Sequence, residues 1–193
     1  MNFLDLEDTQ ERRLGTCLRR QAEKIPDRDF IVWDRTHYGY GQANQLANAY
    51  ARGFQGLGVS PGDTVSFLME TCPEYVFATL GLNKTGAVWV PTNVDYKGRW
   101  LQESFEDGGA RVLVADAALL PRVAELPTLP FDHVVVRGSG DTPDLPVPSS
   151  RLEDLCATPG EEPDDAGIGS GDNPFWRRAS RSRFSGRKAD GLP

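Results

Sequence analysis

The residues of this chain that could do chemistry are three cysteines, two histidines, one run of carboxylates and two short stretches that set glycine beside basic or hydroxyl groups. Cys17, Cys72 and Cys156 lie far apart and are odd in number, so the sequence offers neither a disulfide framework nor paired metal-ligand spacing. They read as small apolar residues in a reducing cytosol. His37 and His133 have no partner motif, and His133 opens "HVVV", which makes it a strand-end residue. "EEPDD" (161–165) is a charge run in a loop, and such runs are solvated rather than paired as acid and base. "GIGSG" (167–171) has glycines that would let a backbone approach a phosphate, but no strand leads in and no helical pattern follows. "SGRK" (185–188) has one glycine and one lysine without a run of hydroxyl residues. On these grounds no residue is assigned a catalytic, cofactor-binding or metal-ligating role.

Charge divides the chain unevenly. The 193 residues carry a net −7, yet residues 174–193 hold six basic side chains against Asp190 alone. The remaining 173 residues therefore hold 15 basic and 27 acidic groups, a net −12 that repels phosphates beyond immediate contact. In the tail, Phe175, Trp176 and Phe184 lie among the arginines, an arrangement that could stack on bases. One short basic segment on an acidic body is more commonly a solvated end, so the balance argues against nucleic acid as a partner. No stretch approaches the roughly 20 apolar residues of a membrane span, and the N-terminus lacks a signal-like apolar run; the expected compartment is the cytoplasm.

The elements that would hold these residues are legible as alternating periods. Residues 13–25 and 40–58 carry apolar side chains at helical spacing, the first stopped by Pro26 and the second by Gly58, a left-handed cap. "FIVW" (30–33) is a short strand between them. "TVSFLM" (64–69), "AVWVP" (87–91), "RVLVA" (111–115) and "HVVV" (133–136) read as strands. "CPEYVFATLGLNKTG" (72–86), "YKGRWLQESFEDGG" (96–109) and a broken stretch at 116–126 read as the helices between them, the first with Pro73 in its opening turn and Gly86 at its end. "AVWVP" lacks alternation, which predicts burial on both faces. Short strands alternating with helices predict right-handed crossovers, hence an open, mostly parallel sheet with helices on both faces. The implied organisation is an α/β domain over 1–137, an acidic Gly/Pro-rich loop region over 138–173 with one short helix at 150–156, and a basic disordered tail over 174–193.

Two segments have more character than generic α/β sequence: "YGYGQANQLANAYARGFQGLGVSPGDTVSFLMETCPEYVFATLG" and "GLNKTGAVWVPTNV". Together they resemble the N-terminal part of the adenylate-forming ligases, which include acyl-CoA synthetases, peptide-synthetase adenylation domains and luciferases. Lys84, Gly86, Ala87, Val90 and Pro91 match the family's Lys-x-Gly-Ala-x-x-Val-Pro run. The likeness spans roughly residues 14–137 and is nearest in character to carnitine-, crotonobetaine- and fatty acid-CoA ligases.

The resemblance implies ATP-dependent activation of a carboxylic acid, with ATP, magnesium and CoA serving a complete member. It also implies where the chemistry lies: a Thr/Ser/Gly-rich loop ending in lysine for the ATP phosphates, then an acidic Thr-Glu motif, a ribose-binding Asp and a lysine on a mobile C-terminal domain. None of these matches a position here. Thr92 and Asn93 lie at the sheet edge where ligands usually bind, but their residue types indicate a connecting turn. The expectation is a truncated or frame-disrupted ligase, inactive alone and prone to self-association through exposed apolar surface. Two alternatives stay open: half of a split ligase completed by another chain, and a binding protein that uses the basic tail.

Overall fold

The computed structural model describes residues 13–140, 142–156 and 161–163. The stretches "GIGSG" and "SGRK", Asp164, Asp165 and the basic tail lie outside the described residues. Helix α1 (Leu14–Lys24) is followed by strands β1 (Asp29–Trp33) and β2 (Thr36–Gly39) and by helix α2 (Tyr40–Gly56). Then come β3 (Thr64–Leu68), α3 (Pro73–Thr85), β4 (Val88–Pro91), α4 (Gly98–Gly108) and β5 (Val112–Asp116). A 3-10 turn (Ala117–Leu119) runs into α5 (Leu120–Ala124), and β6 (His133–Arg137), β7 (Ser149–Arg151) and α6 (Leu152–Leu155) complete the series.

Five strands form one sheet in the order β4-β3-β5-β6-β7, and every neighbouring pair is parallel. Alternate residues of the central strands enter two separate cores. Val112 and Val114 of β5 and Val135 of β6 pack with α2 and α3, whereas Leu113, Ala115, Val134 and Val136 pack with Leu101, Phe105, Leu120 and Val123 of α4 and α5. This double burial explains why β5 and β6 read as unbroken apolar runs. Phe54, Phe67 and Phe105 are fully buried, each stabilising the fold by about 1.5–3 kcal/mol relative to exposure.

Four local departures from the sequence reading have physical causes. First, "AVWVP" is not a doubly buried strand: β4 sits at the edge of the sheet, with Val88, Trp89 and Val90 half-buried and Pro91 exposed. Pro91 has no N–H to give to a ladder, which suits an edge. Second, β1 has an antiparallel partner, β2, turned through Asp34 and Arg35. Both turn residues have positive φ (40° and 66°), as a two-residue hairpin turn that follows strand twist requires. Third, part of the region read as loop beyond Arg137 joins the sheet, because β7 pairs in parallel with β6 and leads directly into α6. Fourth, the apolar spacing over residues 13–25 does not make one buried stripe: α1 packs through Leu18 and through Gly15, which lies against Lys84, and this leaves Leu14 58% exposed. The caps came out as read: Gly58 and Gly86 are left-handed, and Gly86 ends α3.

Candidate functional site

The strand order creates a switch point. From β3 the chain crosses through α3 to β4 on one side, then returns through α4 to β5 on the other side of β3. The crevice beyond the carboxyl ends of β3 and β5 is where open α/β sheets hold ligands. Glu70, Cys72 and Glu74 follow β3 there, Asp116 ends β5 and Arg137 ends β6.

These groups are bound to one another. One oxygen of Asp116, Oδ2, accepts from the Glu70 backbone N–H at 2.8 Å, and the other, Oδ1, accepts from Arg137 Nη1 at 2.8 Å. Arg137 Nη2 also faces Glu74 Oε2 across 3.4 Å, a long ion pair at the first turn of α3. The network ties the ends of three neighbouring strands to a helix start. Burial pushes the Cys72 thiol up to about 11, so it is protonated at neutral pH and is no nucleophile. Its sulfur accepts from the Tyr75 N–H at 3.4 Å and caps α3.

Thr92 and Asn93 lie at the same edge after β4. The Thr92 N–H extends the ladder to Phe67 O at 2.8 Å, and its hydroxyl oxygen is buried without a hydrogen-bond partner. Asn93 Oδ1 accepts from Asp95 N at 2.9 Å, closing a local side-chain turn.

A second polar centre lies on the α1–α2–α3 side of the sheet and was not foreseen. The Lys84 side chain is only 3% exposed, and its ammonium donates to Asn44 Oδ1 at 2.9 Å and to Glu162 Oε1. Asn44 and Asn48 each donate from Nδ2 to Glu162 Oε2, at 3.3 and 3.1 Å. Burial alone would raise the Glu162 carboxyl, but the Lys84 ammonium and the two amides outweigh it and hold the group below its ordinary value. Arg52 adds contacts to the Glu161 carbonyl at 3.2 Å and carboxylate at 3.3 Å. Glu162 is thus ion-paired and half-buried and Pro163 is buried, so these two residues of "EEPDD" are not solvated, whereas Glu161 meets Arg52 at the surface with its side chain 93% exposed, as a solvated run would have it.

Gly15 permits the arrangement, since a Cβ there would stand 2.7 Å from Lys84 Cγ. One signal in the sequence could have revealed this centre. Asn44 and Asn48 are four residues apart on α2, beside the buried Ala43 and Ala47. A pair of amides bordering a packed face needs a polar partner.

His133 Nε2 lies 2.9 Å from Ser150 Oγ, joining β6 to β7, and burial lowers its pKa. His37 pairs with Asp29 at 2.8 Å on the exposed hairpin. Neither belongs to a wider constellation, and no group of three or more His, Cys, Asp or Glu among the described residues could hold a metal ion. No helix among them is long and apolar enough to cross a membrane.

A doubly covered parallel sheet with this switch point, and with a Lys-x-Gly-Ala run ending the crossover from β3 to β4, defines the N-terminal α/β portion of the adenylate-forming ligase fold. The chain belongs to the AMP-binding enzyme family, whose pattern matches residues 18–166.

It is 34% identical over 112 residues to the medium/long-chain-fatty-acid–CoA ligase FadD6 of Mycobacterium tuberculosis, covering 58% of this chain and 19% of that protein. It is 30% identical over 159 residues to the crotonobetaine/carnitine–CoA ligase of Salmonella paratyphi A, covering 75% of this chain and 31% of that one. Among solved structures it resembles a fatty acyl CoA synthetase of Mycobacterium tuberculosis, with a TM-score of 0.67 and 25% identity over 81% of this chain and 30% of that chain. The chain therefore spans a third or less of the length of these relatives.

Proposed function

We propose that this chain is the scaffold portion of an acyl-CoA synthetase-type ligase, built for ATP-dependent activation of a carboxylic acid, and that the 193 residues alone do not perform that reaction. The observation that carries this reading is the state of the switch-point crevice. Asp116 and Glu74 are both paired with Arg137 there, which leaves the cluster one negative charge in excess, and Cys72 is held protonated. A complete ligase must offset charge on the nucleotide with backbone amides, magnesium and lysine. The described residues do not fit that task. The carboxylates at the crevice are engaged with Arg137 and the Glu70 amide, and Lys84 is engaged with Glu162 and Asn44 on the α1–α2–α3 side of the sheet.

A fatty or carnitine-like acid is the substrate class favoured by the FadD6 and crotonobetaine/carnitine ligase likenesses. Cys17, Cys72 and Cys156 are thiols rather than disulfides, which supports a reducing compartment, the cytoplasm. The test is acid-dependent exchange of labelled pyrophosphate into ATP by the purified chain, with fatty acids and carnitine-like acids as substrates. No exchange above the enzyme-free background is expected. Acid-dependent exchange would falsify the scaffold reading.

A further inference from the structure

The Lys84 centre has a role that its burial alone does not explain. A lysine at the end of a packed helix usually keeps its ammonium in water by extending its stem. Here the stem runs under Gly15 of α1, and the head is turned inward to a carboxylate that comes from 78 residues further along the chain. Removing an ammonium from water costs several kcal/mol unless a well-placed counter-charge and hydrogen bonds offset it. Glu162 supplies the charge, and the Asn44 amide oxygen, 2.9 Å from the ammonium, accepts a further hydrogen bond.

The Glu162 carboxylate is matched as closely, since it accepts from Lys84 on one oxygen and from Asn44 and Asn48 on the other. Three donors from two helices converge on a carboxylate of a segment that belongs to neither helix. Arg52 of α2 holds the preceding residue, Glu161, and Pro163 is buried immediately after.

We infer that Lys84, with Asn44 and Asn48, is a positioning residue: it forms a carboxylate seat that docks Glu162 and so fixes where the chain leaves the α2–α3 surface. The seat gives the lysine of the Lys-x-Gly-Ala run its partners, Asn44 and Glu162. It acts on whatever follows Pro163. The docking itself does not depend on the proposed function.

The test therefore reads docking alone, by cleavage of the native full chain with a glutamate-specific protease at the Glu161–Glu162 bond. Cleavage requires the segment to leave its seat, because a protease needs several residues in extended form. Glu162→Ala and Lys84→Met should each speed cleavage about tenfold, the change produced by about 1.4 kcal/mol of lost docking. The double variant should be cut no faster than the faster single variant, since both remove one interaction.

Thermal melting, followed in parallel, separates docking from global stability. Glu162→Ala changes a half-exposed segment and should keep a cooperative melt even if Lys84→Met does not fold. Unchanged cleavage in Glu162→Ala would overturn the inference. So would faster cutting at Glu74 and Glu103 in step with Glu161, because that pattern reports general loosening. Additive effects in the double variant would equally refute a shared seat. Each of these outcomes is independent of pyrophosphate exchange, so failure of the seat and failure of the ligase reading are distinguishable.

Discussion

The titratable side chains of this protein act as fasteners, and their protonation should register as stability. His133 is the clearest case, since burial lowers its pKa and its ring lies 2.9 Å from Ser150 Oγ. Above its ordinary value of 6.5 the ring is neutral in both folded and unfolded chains and contributes no slope. As pH falls below that value the unfolded chain takes up the proton first, so the folded state loses stability until pH passes below the folded-state pKa. The melting temperature of the native protein should therefore drop between about pH 7 and 5 more than that of a His133→Gln variant, by the proton that His133 resists. Parallel melting curves for the two proteins across that window would show that His133 is not held neutral by the fold.

At the scale of elements, close helix packing sets the tolerances. Gly81 of α3 faces the backbone of α2, where an added Cβ would lie 2.8 Å from Ala47 O and 2.9 Å from Tyr50 Cβ. A backbone cannot yield as a flexible side chain does, so Gly81→Ala should cost about 1–3 kcal/mol, the usual range for overpacking. Chemical denaturation would check this, with Gly56→Ala as a control because nothing lies within 4 Å of a Cβ there. A Gly81→Ala protein as stable as the control would mean that α2 and α3 are not in such close contact.

The elements most legible in the sequence were those whose pattern is local. Pro73 and Gly86 bracket α3, and the apolar runs at 111–115 and 133–136 announce the strands that form at Val112–Asp116 and His133–Arg137. What escaped depends on partners distant in sequence. β2 is strand because β1 lies beside it, β7 is three residues that extend the sheet past β6, and β4 is an edge because the chain turns back. Glu162 escaped for the same reason, since its local surroundings are acidic loop and its meaning lies in Lys84 and two amides of α2.

Over the whole molecule, apolar side chains remain uncovered on both sides of the sheet. Val32 and Trp33 of the hairpin are 56% and 45% exposed, next to a hairpin core that packs on the α2–α3 side. Trp100, at 70%, and Tyr96, at 39%, stand at the start of α4, whose core lies on the opposite side. A tryptophan carries roughly 150–250 Å² of side-chain surface. At about 25 cal/mol per Å², covering the open part of Trp100 gives a gross gain of roughly 3–4 kcal/mol. Association costs about 4–15 kcal/mol before any net affinity appears, so one such contact holds copies together only weakly. Two patches on opposite sides also allow head-to-tail contacts that do not close into a defined dimer. The expected behaviour is weak, open-ended self-association that grows with concentration. Sedimentation velocity should show the average coefficient rising from dilute to concentrated samples, and Trp100→Glu should flatten that rise without lowering the melting temperature. A single monomeric boundary at every concentration would show that these side chains are too dispersed to make a contact surface, as would a Trp100→Glu variant that associates as the native chain does.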